Sequence, residues 1–488
     1  MPEHARINSL DIKDSGEICE IKKGIVKING LTSCINGQLI ELGPELLGIV
    51  FGFNEREVSA LVLGDETSLN IGDAVFAEES TFEIPVGNNF IGHIVNVFGK
   101  IQDQQEQPEA TDVYPIFREA PGVVDRRPID EPLLSGIKMI DTLIPLGKGQ
   151  RELIIGDRVT GKTALALNAI LNQKNKDVVC IFCWVGGSYA PFLKTVQQLH
   201  RAGAMEYSIV VSALASDSPA EQYLAPYAAA ALGEYFMHRG RDCLVVFDNL
   251  TRHAWIYRQL SLLLERPPGR EAYPGDIFYL HSQLMERAAK LNDENGAGSM
   301  SFLPIVETQE GDVTGLIPSN LISMTDGQIY LDNSLFLEGF RPAIDLGLSV
   351  SRIGNKVQSQ AIKEVSRKLK REYALYKELL SLTRLRTKLT HEVEEKIKRG
   401  EALISLFVQD KDNPLPLVEQ IVIFYAFDQD RPEILNEIKR EKFKKDIYRY
   451  LVTEYPGLIN KLDTQKVLTA EIKTGLDQAF NAFFSTGK

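Results

Sequence analysis

The sequence predicts a multidomain α/β protein: an N-terminal β-barrel, a central domain on a parallel sheet, and a C-terminal α-helical domain. Three observations carry this. Residues 16 to about 78 hold short alternating runs, such as Ile18-Cys19-Glu20-Ile21 and Gly24-Ile25-Val26-Lys27-Ile28, between regularly placed glycines, which is the pattern of a small closed barrel. From residue 150 apolar strands alternate with helical patterns, which calls for a parallel sheet covered on both faces. Beyond about 355 the strands stop, and Val365, Leu369, Tyr373, Tyr376 and Leu380 form a helical stripe. At 488 residues the chain is too long for one core. The expected domains are 1–78, 79–354 and 355–488.

The barrel segment carries no chemistry of its own, so a structural or subunit-contact role is expected. Residues 79–145 are mixed, with Pro85-Val86-Gly87 and a proline-rich connection through Pro108, Pro115, Pro121 and Pro128. In the central domain the expected strands are 152–155, 178–184, 208–212, 243–247 and 302–306. One helix between them is well signposted. Ser218 is its N-cap, Pro219 stands in the first turn, Glu221 completes a capping box, and Gly240 follows the end.

The first of these strands runs into Gly156-Asp157-Arg158-Val159-Thr160-Gly161-Lys162-Thr163, and a helical pattern follows at 164–170. G-x-x-x-x-G-K-T between a strand and a helix points to bound nucleotide phosphates. The glycines let the backbone wrap an anion so that amide N–H groups of the turn and helix N-terminus face it. Lys162 is expected to reach the outer phosphates, and the Thr163 hydroxyl to take one place on Mg²⁺. The bland alternative is a glycine-rich turn between packed elements. Some 85 residues later Cys243-Leu244-Val245-Val246-Phe247-Asp248 is an apolar strand ending in a carboxylate. On a strand expected to neighbour that of the phosphate loop, Asp248 is placed to hold Mg²⁺ through its water shell.

Bulk properties narrow the class. Apolar content of 44% and charged content of 25% describe an ordinary globular chain. A net charge of −12 tilts against a binder that neutralises nucleic-acid phosphates. No run approaches 18 uncharged apolar residues, so no transmembrane helix is expected, and Met1-Pro2-Glu3-His4-Ala5-Arg6 has neither signal- nor transit-peptide character. Cytoplasmic residence is the resulting expectation. Cys180-Ile181-Phe182-Cys183 has C-x-x-C form. It lies in an apolar strand, where residues three apart face opposite ways and cannot clasp one metal. The charge run Lys363, Arg367, Lys368, Lys370 and Arg371 is expected to be a solvated helix face.

Hydrolysis needs a further carboxylate or Gln to orient water. In hexameric P-loop ATPases of this RecA-like layout it usually follows the strand expected at 178–184. Here Val185-Gly186-Gly187-Ser188-Tyr189-Ala190 contains no acid. Glu307 is a conceivable substitute, and a structural role for it is the alternative.

The stretch Arg266-Pro267-Pro268-Gly269-Arg270-Glu271-Ala272-Tyr273-Pro274-Gly275-Asp276-Ile277-Phe278-Tyr279-Leu280-His281-Ser282 resembles the alpha subunits of F-type ATP synthases. So do the residues from Gly149 through Arg158, Glu307-Thr308-Gln309, and Arg341-Pro342-Ala343-Ile344 leading to Ser349-Val350-Ser351-Arg352. The resemblance runs from about residue 16 to the C-terminus. It implies a noncatalytic subunit that binds ATP with Mg²⁺, alternates with a catalytic beta subunit in a hexamer around a rotor shaft, and is tied to a peripheral stalk. The membrane is involved only through an ion-translocating sector moving protons or sodium, which places the chain at the cytoplasmic face of a cell membrane. Arg352 matches the family's arginine finger, sent into the neighbouring beta site; by itself it is a surface arginine. Phe336, Arg341, Pro342 and Gln409 match positions around the adenine. Departures from the family are Val159 and Gly187 where Gln is usual, Asn249 for a second Asp, and Lys411 for Gln. The segment Met1 to Asp14 is a poor helix and falls short of the family's stalk-docking helix, which suggests an alternative, for example sodium-pumping, enzyme.

Other readings are a self-sufficient hexameric ATPase, an RNA-translocating hexamer and a nucleotide-free assembly subunit. The absent acid and the Arg352 block disfavour the first. The acidic charge and a barrel with few aromatics (Phe51 and Phe53) disfavour the second. Lys162, Thr163 and Asp248 disfavour the third.

Overall fold

The computed structural model describes residues 14–44, 46–54, 56–104, 106–383 and 390–485. The expectation about stalk attachment rests on residues 1–14, of which 1–13 lie outside the described residues.

Six strands, β1 (Ser15–Lys22), β2 (Ile25–Gly30), β3 (Gln38–Gly43), β4 (Leu46–Phe53), β5 (Glu57–Leu63) and β6 (Ala74–Thr81), close a barrel in the order β1-β2-β5-β4-β3-β6. Its interior is filled by Ile18, Val26, Ile28, Ile40, Val50, Val62 and Val75. The alternation read in the sequence is what puts these on one side of each strand. The opposite side of β4 and β5 (Ile49, Phe51, Leu61 and Leu63) joins the core of the central domain. There Phe51 meets Tyr223 edge to face at 5.3 Å, and Arg266 donates to the Phe51 carbonyl at 3.0 Å.

The central sheet runs, edge to edge, Val350–Ser351, Gly327–Leu331, Leu153–Gly156, Ser299–Glu307, Asp242–Asp248, Val178–Gly187, Ser208–Leu214, Ile94–Val95. Pairing along this path is parallel except at the short edge strand Val350–Ser351. Each strand expected in this domain is present, most of them extended by one to three residues at an end. The sheet separates two apolar cores: Cys180 belongs to one and Cys183 to the other. This is the opposed facing that denies them a shared metal.

Helix Pro219–Met237 begins as the sequence signals. Glu221 N–H donates to Ser218 Oγ at 3.2 Å, and Ser218 N–H donates to the Glu221 carboxylate at 2.9 Å. The helix continues through Pro226, held by burial along nearly its whole length. From it Glu234 forms a bidentate pair with the fully buried Arg287 at 2.7 and 2.8 Å, and Arg287 also donates to the Ile116 carbonyl at 2.7 Å. That pair ties the proline-rich connection to the sheet domain. Two-point geometry with a third acceptor is what a buried ion pair needs to offset desolvation.

Among the described residues, seven helices follow residue 359, from Gln360–Thr383 to Ala470–Ser485. Val365, Leu369 and Tyr373 of the expected stripe are buried. Tyr376 packs where Gly400 has no side chain; a Cβ there would enter its ring. Arg367, Lys368, Lys370 and Arg371 are exposed, as a solvated face requires, with Lys368 paired to Asp428 at 2.8 Å. No helix of the described residues is long and apolar enough to cross a membrane.

Candidate nucleotide site

The strand Leu153–Gly156 is buried between two parallel neighbours, so the loop after it emerges at the carboxyl edge of the sheet. That edge is where open α/β sheets bind ligands. Gly156 and Gly161 are needed for close approach and turn. A Cβ on Gly156 would press on the Leu331 carbonyl, and Gly161 has φ +100°, in the left-handed region. Helix Lys162–Leu171 then starts with its free N–H groups facing the loop. Asp157 braces the loop from behind: its carboxylate accepts from Thr308 Oγ1 at 2.6 Å and Gly311 N–H at 2.9 Å. Its carbonyl accepts from Thr160 Oγ1 at 2.8 Å and from Lys162 Nζ. Lys162 is 6% exposed. Burial lowers its pKa, while Glu307, Asp248 and Asp157 pull it back up. Val159 is 83% exposed at φ +67°, an uncommon conformation for a β-branched residue.

Thr163 Oγ1 donates to Asp248 Oδ2 at 2.6 Å. The two do not come from adjacent strands. Ser299–Glu307 lies between the phosphate-loop strand and Asp242–Asp248, which corrects the neighbouring position expected for Asp248. Burial raises the Asp248 pKa; the Thr163 hydrogen bond, Arg252 and Lys162 oppose that rise. A hydroxyl and a carboxylate are hard oxygen donors that suit Mg²⁺. Among the described residues no group of three or more His, Cys, Asp or Glu gathers to hold a metal unaided. An ion here would therefore need further oxygens from phosphate and water, which is how Mg²⁺ is usually held.

On the other side of the loop a cavity of about 760 Å³ opens, lined by Val159, Thr160, Gly161, Phe336, Arg341, Pro342 and Gln409 among others. The structure thus brings the four residues matched to the adenine onto one wall system with the phosphate loop. Arg341 lies over the Phe336 ring at 5.1 Å, a cation–π contact that fixes both side chains. Gln409 has its amide turned into the protein. Nε2 donates to Gly136 O at 2.7 Å and Asn413 O at 2.8 Å, and Oε1 accepts from Lys138 N–H at 3.0 Å. Its backbone N–H donates to Arg341 O at 2.9 Å. Gln409 positions this wall, and Lys411 lines the same cavity.

At the end of the central strands, Glu307 accepts from Arg158 Nε at 3.0 Å and from Asn249 Nδ2 at 3.0 Å. Asn249 also caps helix Leu250–Leu263, its Oδ1 accepting Arg252 N–H at 2.9 Å. An Asp at 249 would set a second carboxylate against Glu307, so the departure has a local reason. The sequence reading missed Asn249 as a cap and Arg252 altogether; a cap signal, Asn before a helical pattern, was there to find.

Arg352 stands away from all of this. The strand Gly327–Leu331 pairs with Gly156 at its carboxyl end through Leu331, and with Ser351 at its amino end through Gly327. Arg352 N–H donates to Asp326 O at 2.9 Å. Five residues of strand, about 16 Å at roughly 3.3 Å per residue, therefore separate its backbone level from that of the loop. The block before it is pinned: Ser349 Oγ accepts from Tyr330 N–H at 2.9 Å, and Ser351 Oγ donates to Pro145 O at 2.8 Å. The Arg352 side chain is exposed and, among the described residues, forms no ion pair. Its guanidinium makes a long contact to Thr325 O at 3.4 Å. Glu152, within its electrostatic reach, is buried, and burial pushes its carboxyl well above the usual range.

Comparison with known proteins agrees with this architecture. The family described as "ATP synthase alpha/beta family, nucleotide-binding domain" matches residues 136–351, and "ATP synthase alpha/beta chain, C terminal domain" matches 358–483. The chain is 45% identical over 473 residues to ATP synthase subunit alpha of Clostridium botulinum strain Alaska E43, covering 96% of this chain and 93% of that protein. It is 44% identical over 475 residues to the subunit of the same name from strain Hall, covering 97% and 94%. With a phosphate loop on a parallel sheet, a preceding barrel, a helical domain and these likenesses, the chain belongs to the ATP synthase alpha/beta family, on the side of its alpha subunits.

Proposed function

We propose that this chain is the noncatalytic, nucleotide-binding alpha subunit of an F-type ATP synthase. It holds ATP with Mg²⁺ and lends Arg352 to the catalytic site of an adjacent beta subunit. Arg352 carries the reading: an exposed guanidinium without a carboxylate partner among the described residues, at the far end of the sheet from its own phosphate loop. A cation so placed is suited to a phosphate on a neighbouring subunit, where an arginine supplied in trans stabilises the transferring phosphoryl group. In its own site Lys162 and the loop N–H groups would take the phosphates, Thr163 and Asp248 the ion, and the cavity at Phe336, Arg341 and Pro342 the base. Mg²⁺, when bound, would supply charge neutralisation at the outer phosphates. The segment 185–190 has no acid and Glu307 is held by Arg158 and Asn249, so this site is read as binding without turnover.

The domains proposed are 1–78, 79–354 and 355–488. The partners are a beta subunit in an alternating hexamer, a central rotor shaft and a peripheral stalk, at the cytoplasmic face of a membrane across which protons or sodium move. The experiment is MgATP binding and steady-state hydrolysis by the purified chain alone, then mixed with its beta partner. Binding without turnover alone, and turnover in the mixture, is the expected result. Robust turnover by the isolated chain would replace this reading with that of a self-sufficient ATPase.

A further inference from the structure

Asp410 and Lys411 follow Gln409 on the wall of the cavity beside the phosphate loop, and both line it. The turn that carries them is pinned on either side. Before them, Gln409 is fixed by three amide hydrogen bonds and by its backbone N–H to Arg341 O. After them, Asp412 takes φ +62° and donates its N–H at 2.9 Å to Asn168 Oδ1, on the helix that starts at Lys162. The Asp412 carboxylate accepts from Gln198 Nε2. Between these anchors the side chains of Asp410 and Lys411 are exposed, and among the described residues neither forms a hydrogen bond or an ion pair. A free carboxylate and a free ammonium thus neighbour each other on a fixed turn. The amide of Gln409 could otherwise read a base edge with donor and acceptor together, but both of its ends are engaged within the protein.

We propose that Asp410 and Lys411 read the base, so that this site takes guanine nucleotides at least as well as adenine nucleotides. This rests on the nucleotide-site reading above and widens the ligand's class from ATP to purine nucleoside triphosphates. An ammonium only donates and an ionised carboxylate only accepts. Guanine offers O6 and N7 as acceptors to a cation, and on the adjoining edge N1–H and the 2-amine point the same way. Those two parallel N–H groups match the two oxygens of a carboxylate. Adenine gives Asp410 a single amine, and it sets that amine, a donor, where Lys411 meets O6 in guanine. Phe336 and Pro342 offer either purine the same apolar surface, so the choice falls to the base edge.

The test is calorimetric titration of the full chain with MgGTP, MgATP and MgITP, with thermal unfolding as a check on folding. In the unaltered chain the Kd for MgGTP is expected to lie below that for MgATP or within about threefold of it. Weaker GTP binding than that overturns the proposal while leaving the nucleotide site standing, whatever the variants do. Lys411→Gln should weaken GTP binding about tenfold, the low end for a hydrogen bond to a charged group on an exposed rim, and ATP binding less than about threefold. Equal loss for both nucleotides, or none for GTP, overturns the reading of Lys411. MgITP keeps O6 and N1–H but lacks the 2-amine, so it should bind more weakly than MgGTP, and Asp410→Ala should close that gap. No gap in the unaltered chain, or one that persists in Asp410→Ala, overturns the reading of Asp410. If the folded chain binds none of the three, the site reading itself fails and takes this inference with it.

Discussion

The hydroxyl of Thr163, on the helix that follows the phosphate loop, donates to the carboxylate of Asp248 at 2.6 Å, although a strand lies between the phosphate-loop strand and the one that ends in Asp248. The helix N-terminus and the Asp248 strand are thereby drawn together around a pair of hard oxygens. Asp248→Asn keeps the shape and the hydrogen-bond acceptor but removes the charge. ATP affinity of this variant is expected to become nearly indifferent to Mg²⁺, whereas the unaltered chain should lose about tenfold or more when EDTA removes the ion. Titration with and without EDTA reads the difference. An unchanged Mg²⁺ effect in Asp248→Asn would remove Asp248 from the ion's shell.

Arg352→Ala should leave nucleotide binding by the isolated chain unchanged within about twofold and lower turnover of the assembled complex by about 10³- to 10⁵-fold, the range for an arginine acting in trans. Arg352→Lys should rescue little, because a point charge cannot reproduce the fork. Normal turnover of the Ala variant in the complex would rule out the finger.

A pH dependence of stability follows from His253 and His281. Both are fully buried; burial depresses their pKa values to about 4 and about 3, with a small contribution to His281 from His253. Between those values and about 6.5 the unfolded chain binds protons that the folded chain refuses. Their contribution to stability is therefore complete above pH 6.5 and is lost as pH falls toward 4. Neither ring nitrogen of His281 has a hydrogen-bond partner among the described residues. His281→Met should raise stability by about 1–2 kcal/mol at neutral pH, by removing an unsatisfied polar group, and should flatten the acid limb. Unfolding midpoints at pH 5 and 7.5 would show both effects; a larger acid loss in the variant would contradict them.

Gln409→Leu should destabilise the chain by about 2–3 kcal/mol, because it strands the Lys138 N–H and two carbonyls in a buried seam. Lys138 clasps the same seam through Nζ, at Leu406 O and, at 2.9 Å, at Val408 O. Nucleotide affinity should fall with it, since the cavity wall hangs from that seam. Thermal midpoint and ATP binding measured on one preparation would test this; a loss of affinity at unchanged stability would mean direct contact with the base instead.

Much of this was legible because local chemistry decides it. Ser218 and Glu221 announce their helix through a cap that needs no tertiary partner, and the glycines of the phosphate loop are required by its backbone. The barrel showed in its alternation, although closure between β1 and β6 depends on pairing that no local rule sets. The site was legible only where residues act close to their place in the chain. Strand order is a tertiary choice, so the strand expected at 302–306 was read, but its place between the phosphate-loop strand and the Asp248 strand was not. Gln409 lined the expected cavity, but which way its amide turned depended on Gly136 and Lys138, some 270 residues earlier. Arg252 gave no signal, because its place beside Gly187 and Glu307 is set by tertiary packing rather than by its neighbours in the chain.

The short strand Gly327–Leu331 touches the phosphate loop's strand at one end and the Arg352 turn at the other. On the proposed role of Arg352, this gives the molecule a polarity, with a receiving end and a giving end at opposite ends of one strand. Two such bodies related by a two-fold axis would present like to like and leave both ends idle. Only head-to-tail repetition uses every end, and a repetition of that kind must either close on itself or grow without limit. On that reading, the spacing between what a subunit gives and what it receives would be set by five residues of backbone.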